Sequence, residues 1–246
     1  MVNLGAYQGD FACKLNLQGC RWMERGETDQ PDDLGEFKEF LQNQFVALPA
    51  DFAGNMQAAP DPWVSERGFS RRLYPLLFPH DGEGEVRIAD VPWGKRHVEG
   101  DFTAPRPALA WGFPEIPSEY STMIDRYREF LSPYPNFAFP FLAVEMKAPE
   151  GYDEDARCEA LGTAACAIRG YLTVACELET LASFINKIMF VAFIVTPEII
   201  SLAYFWAPSQ TEVRGAILQC WGFQTQGRLG DLIAEDMNKH ITNSRK

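Results

Sequence analysis

The chain has 246 residues, with 22 lysines and arginines against 34 aspartates and glutamates, and a formal net charge of −12. Hydrophobic residues are 46% and charged residues 23%, an ordinary globular balance, and the length suits one large domain, or a domain with an extension, without disulfides or a structural metal. The longest apolar stretch, Ile188 to Trp206, is broken by Thr196-Pro197-Glu198, which excludes a membrane helix, and the acidic balance opposes nonspecific binding to nucleic acid.

In chain order, Leu34, Phe37, Phe40, Leu41 and Phe45 recur at helical spacing, with Asp32 or Asp33 as N-cap, and predict a helix that ends before Pro49. Ala58-Ala59-Pro60-Asp61-Pro62 reads as a linker. A second amphipathic helix is predicted from Trp63 to Leu77, carrying Glu66, Arg67, Arg71 and Arg72. Val86 to Val91 alternates as a short strand, and His97 to Thr103 is a second candidate. Pro105 to Phe113 reads as a short apolar strand bounded by prolines and glycine, and Tyr120 to Leu131 as a helix.

Phe137 to Lys147 is the clearest strand, apolar on both faces until Glu145, as a buried central strand should be. A long helix is predicted from Asp155 to Phe184, with an early half rich in alanine and glycine that lets it lie close on a sheet. Two strands, Ile188–Val195 and Ile199–Trp206, follow around a tight turn, then a strand over Glu212–Gln224 and a closing helix over Gly227–His240. The fold class is α/β (α+β), a central mixed sheet flanked by helices.

Six cysteines form no CxxC, and His80, His97 and His240 form no HxxxH pair, so no zinc site is expected. Cys158 and Cys166 read as small core residues. The absence of GxSxG and GxxxxGK[ST] leaves serine-hydrolase and P-loop chemistry without support. Trp206, Trp221 and Phe223 could stack nucleobases, but core packing accounts for them more simply.

Two acidic-x-Lys patterns remain. Glu36-Phe37-Lys38 lies in a predicted helix, where residues two apart do not share a face. Glu145-Met146-Lys147 ends a strand, where they do. A carboxylate there can hold a divalent cation, and the lysine can act on an attacking water or a phosphate. A salt-bridged strand end is the plain alternative.

From about Trp63 onward, Pro107-Ala108-Leu109-Ala110-Trp111-Gly112-Phe113 resembles the Pro-Asp-Leu-x-Tyr-Gly-Tyr/Phe strand of fungal PD-(D/E)XK nuclease-like domains. Pro140-Phe141-Leu142-Ala143-Val144-Glu145-Met146-Lys147 resembles their Pro-Phe-Leu-Val-Val-Glu-x-Lys strand. The resemblance implies a restriction-endonuclease-like fold and hydrolysis of DNA or RNA phosphodiesters with Mg²⁺ or Mn²⁺. Glu145 maps to the metal-binding acid, Lys147 to the catalytic lysine, and Glu66 to the acid of the first helix. It also divides the chain into an acidic extension with one helix, residues 1–60, and a nuclease-like domain, 61–246.

The family's metal-binding aspartate falls on Ala108, which has no oxygen to offer a cation; Asp101 and Glu115 do not occupy the matching strand position. Glu159 stands where the family has glutamine, and residues 148–160 carry five acids against Arg157 alone. Two origins fit Ala108, natural divergence or deliberate inactivation, and the acidic surroundings favour divergence. The expectation is a nuclease-like domain impaired at its metal site. The alternative is a non-catalytic interaction module of the same fold, whose acidic surface suits a basic protein partner. No signal peptide is visible, so an intracellular setting, cytoplasmic or nuclear, is expected.

Overall fold

A computed structural model describes residues 4–24, 27–44, 86–93, 104–114, 131–147, 153–196 and 199–222. The elements are α1 (Leu4–Leu17), β1 (Cys20–Trp22), α2 (Leu34–Gln44), β2 (Val86–Ala89), β3 (Leu109–Phe113), β4 (Ala138–Met146), α3 (Asp153–Glu177), a 3₁₀ turn (Leu181–Ser183), β5 (Ile188–Val195), β6 (Ile199–Ser209) and β7 (Glu212–Gly222). The seven strands form one sheet in the order β1-β7-β6-β5-β4-β3-β2. β1 runs parallel to β7 and β4 parallel to β5, while the other pairs are antiparallel. The fold is therefore mixed α/β.

The side-chain alternation of β6 shows why the sheet is covered on both faces. Phe205 points into a cluster with Ala160, Ala164 and Ile168 of α3. Its neighbours Tyr204 and Trp206 point the other way and pack with Leu34 and Phe37 of α2. Trp206 is fully buried and stacks on Tyr204, which settles it as a core residue. Strands buried on both faces read as continuous apolar runs, which is the pattern of β6. No described helix is long and apolar enough to cross a membrane.

The first 44 residues contribute two features the sequence did not predict, α1 and β1. Both are built into the same sheet and core: β1 is its edge strand, and α1 packs on α3. The turn between them needs Gly19, whose φ of 73° is left-handed and whose added Cβ would lie 2.7 Å from the Thr211 carbonyl oxygen. Arg169 of α3 braces this turn, donating to Gln18 Oε1 at 2.7 Å and to the Gln18 carbonyl oxygen. The predicted N-cap Asp33 does precede α2. Its carboxylate, however, accepts the Ile188 N–H at 3.0 Å, so it ties the helix to β5.

Several predicted boundaries shift. β2 stops at Ala89 because Asp90 adopts φ 54°. α3 begins two residues earlier than predicted and ends at Glu177, not Phe184. The predicted helices over Trp63–Leu77 and Gly227–His240, and the strand over His97–Thr103, lie outside the described residues. So does the helix over Tyr120–Leu131 except its last residue, buried Leu131.

Candidate functional site

Glu145 is the second-last residue of β4 and Lys147 follows the strand, its N–H still donating to the Val195 carbonyl at 3.0 Å. The strand pairing thus holds both residues in extended geometry and on one face. That face is covered by the first half of α3. Thr163 Oγ1 donates to Glu145 Oε1 at 2.7 Å, and Lys147 Nζ donates to Glu159 Oε1 at 2.6 Å.

The match is geometric. Two residues along a strand advance about 6.6 Å, and four along a helix about 6 Å. The helix runs back against the strand, so Glu145 meets Thr163 while Lys147 meets Glu159. The first pair is buried, with Glu145 only 3% exposed. In the second, the Lys147 side chain is 19% exposed and that of Glu159 44%. The site grades from a sealed carboxylate to a half-open ion pair.

Ala108 sits just before β3. Leu109 pairs with Val144, so the next positions outward, Ala108 and Glu145, fall opposite each other. On its other side the Ala108 carbonyl accepts the Asp90 N–H at 3.2 Å. The Asp90 carboxylate is turned to Arg106, at 2.9 Å from its Nε, and is exposed. The alanine therefore adjoins the buried glutamate, as the two aligned strands imply, and brings no ligand oxygen to it. Among the described residues no group of three His, Cys, Asp or Glu side chains converges to hold a metal. Among the described residues Glu145 is the one carboxylate at this strand end, whereas Mg²⁺ is held through one or two carboxylates with waters and phosphate oxygens completing an octahedron.

Glu66, Asp101 and Glu115 lie outside the described residues, as do Arg67, Arg71, Arg72, Lys95 and Arg96. The exposed Glu36 and Lys38 of α2 take no part. Trp221 belongs to β7, but its side chain and Phe223 are outside the described residues. The structure thus brings together Glu145, Lys147, Ala108 and Glu159. It adds Thr163, which sequence reasoning missed. The signal was there: a lone hydroxyl in the otherwise apolar run Ala160 to Ile168, four residues after Glu159.

A second feature, also missed, is a cavity of about 1030 Å³ between α1, β1 and the start of α3. Arg21, Trp22, Glu24, Asp155 and Cys158 are among its lining residues. Burial, reinforced by Glu154, Asp155 and Glu159, pushes the Cys158 thiol up to about 11. Burial alone pushes Cys166 up to about 12, against the pull of Arg169. Both are protonated near neutral pH and poor nucleophiles, in keeping with their reading as core residues.

No family model matches the chain, and no curated protein matches its sequence.

Proposed function

We propose that the end of β4 is a phosphodiester-hydrolysing site of the PD-(D/E)XK type, on a restriction-endonuclease-like fold, impaired because Ala108 stands where a metal-binding aspartate is required. The observation that carries this reading is the placement of Glu145. A carboxylate held 3% exposed at a strand end, fixed by the Thr163 hydroxyl and neighboured by Lys147, is costly to bury unless it serves a purpose. The central sheet flanked by helices is consistent with the same fold. Glu145 is the surviving metal-binding acid, and Lys147 the residue that orients water or holds a phosphate oxygen. Glu66, outside the described residues, remains a candidate contributor on the resemblance alone. The metal, Mg²⁺ or Mn²⁺, would supply Lewis-acid activation once a second carboxylate is present.

The test is cleavage of DNA and RNA in Mg²⁺ or Mn²⁺ by the chain as it stands, by Ala108→Asp, and by Ala108→Asp with Lys147→Ala. Activity that appears with the aspartate and disappears with the lysine supports the reading. An inert Ala108→Asp protein that is folded defeats it.

Two observations favour a second reading, a non-catalytic module that binds a basic protein. Lys147, the cation this chemistry needs, is engaged by Glu159, and the chain carries a net charge of −12. Under this reading Ala108→Asp stays inert with every nucleic acid.

A further inference from the structure

Glu159 occupies a particular position relative to Lys147. Its Oε1 lies 2.6 Å from Nζ, the distance at which a phosphate oxygen would bind an ammonium group. The carboxylate is the more exposed partner, 44% against 19%, so it can swing to solvent while the lysine stays fixed by the strand beneath it. Half-exposed ion pairs are weak, and their opening is easy. Glutamate and glutamine have the same length and shape, so exchanging one for the other removes the charge of the contact and keeps its fit.

From this we infer that Glu159 is an autoinhibitory residue, an internal stand-in for a phosphate that occupies Lys147 and sets the affinity of the site for phosphate-bearing ligands. This inference rests on the proposed site at the end of β4 and adds its regulation. Two effects act together. Glu159 competes for the lysine, and its negative charge, beside Glu145 and Asp155, repels an incoming phosphate. Glu159→Gln removes the charge and weakens the competition, since a neutral amide oxygen in the same place accepts from the lysine less strongly; Glu159→Ala removes both.

The test is binding, in EDTA, of inorganic phosphate and of a short 5′-phosphorylated oligothymidylate, followed by calorimetry. The proteins are the unmodified chain, Glu159→Gln, Glu159→Ala and Glu159→Gln with Lys147→Ala. Thermal melts verify that each is folded. The expected result is at least about a tenfold gain in affinity for Glu159→Gln and Glu159→Ala, about 1.4 kcal/mol, and its loss when Lys147 is also replaced. Equal affinity in the folded Glu159 variants and the unmodified chain overturns the inference. So does a gain that survives Lys147→Ala, because the phosphate would then be binding elsewhere. Because this readout needs neither metal nor turnover, it is separate from the cleavage series. An inert Ala108→Asp protein beside a tighter-binding Glu159→Gln would sink the nuclease reading and leave the gate standing.

Discussion

Lys147 and Glu159 meet at 2.6 Å across the β4–α3 interface, one rung outward from Glu145 and Thr163. The two rungs differ in burial, and so in energetic weight. The outer pair is partly solvated and contributes at most about 1 kcal/mol to stability. The inner pair lies in the core, where a carboxylate deprived of a donor is expensive.

Thr163→Val is therefore expected to destabilise the protein by about 2 kcal/mol, because it removes a donor to buried Glu145 without changing side-chain volume. Thr163→Ser keeps the hydroxyl and loses only a methyl group, so its cost is smaller. Urea unfolding distinguishes them. Equal stabilities for the valine and serine variants would show that the hydroxyl does not hold the carboxylate.

Two glycines are expected to respond in opposite directions. Gly19→Ala forces a Cβ into a left-handed residue and onto the Thr211 carbonyl oxygen, 2.7 Å away, and should cost about 1–2 kcal/mol or more. Gly35→Ala, in α2, meets nothing within 4 Å and should stabilise by up to about 1 kcal/mol through helix propensity. Thermal melts of both variants give the signs. A neutral Gly19→Ala would mean that the α1–β1 turn is not fixed in this geometry.

How much of this was legible follows from particular residues. The strand β4 was readable because its apolar run on both faces stops abruptly at Glu145. The close helix–sheet packing was readable from the alanines of α3. The end of α3 was not. Its C-terminus is a Schellman arrangement, with the Thr180 N–H on the Ala175 carbonyl at 2.8 Å and the Glu179 N–H on Cys176 at 3.1 Å. The left-handed position, φ 56°, is held by Glu179, where glycine would have signalled the stop. β1 was too short for its alternation to register, since its place depends on pairing with β7. At the site, strand period put Glu145 and Lys147 on one face, and the resemblance to the Pro-Phe-Leu-Val-Val-Glu-x-Lys strand singled them out. The Glu159 and Thr163 contacts were not, because they depend on how α3 is seated on β4.

The buried thiols make stability fall with alkaline pH. An unfolded cysteine ionises near its ordinary value of 9.0, whereas the folded chain holds Cys158 to about 11 and Cys166 to about 12. Between about pH 9 and 11 the folded state therefore binds more protons than the unfolded one, so unfolding gains ground as pH rises, and Cys166 extends the trend toward 12. The slope approaches about 1.4 kcal/mol per pH unit for the buried Cys166 and is smaller for the half-buried Cys158, whose electrostatics solvent screens. Urea unfolding at pH 7, 9 and 10, compared with a Cys158→Ala, Cys166→Ala double variant, isolates the effect. The double variant should lose less stability between pH 9 and 10; parallel curves would rule the thiols out as its source.

Ala108→Asp should change stability even before any activity is measured. The strand register sets position 108 opposite Glu145, whose carboxylate is already buried. A second carboxylate beside it brings like charges together in a medium less screening than water, and without metal the variant should be less stable by about 1 kcal/mol or more at neutral pH. A divalent cation that bridges the pair reverses the sign, because ligand binding to the folded state alone raises the melting temperature with concentration. Thermal melts in EDTA and in increasing Mn²⁺ should show a lowered midpoint that recovers in Ala108→Asp. The unmodified chain and Ala108→Asp with Glu145→Ala should respond little. Recovery that persists without Glu145 would place the cation elsewhere, and no recovery at all would mean that the two positions do not converge on a common ligand.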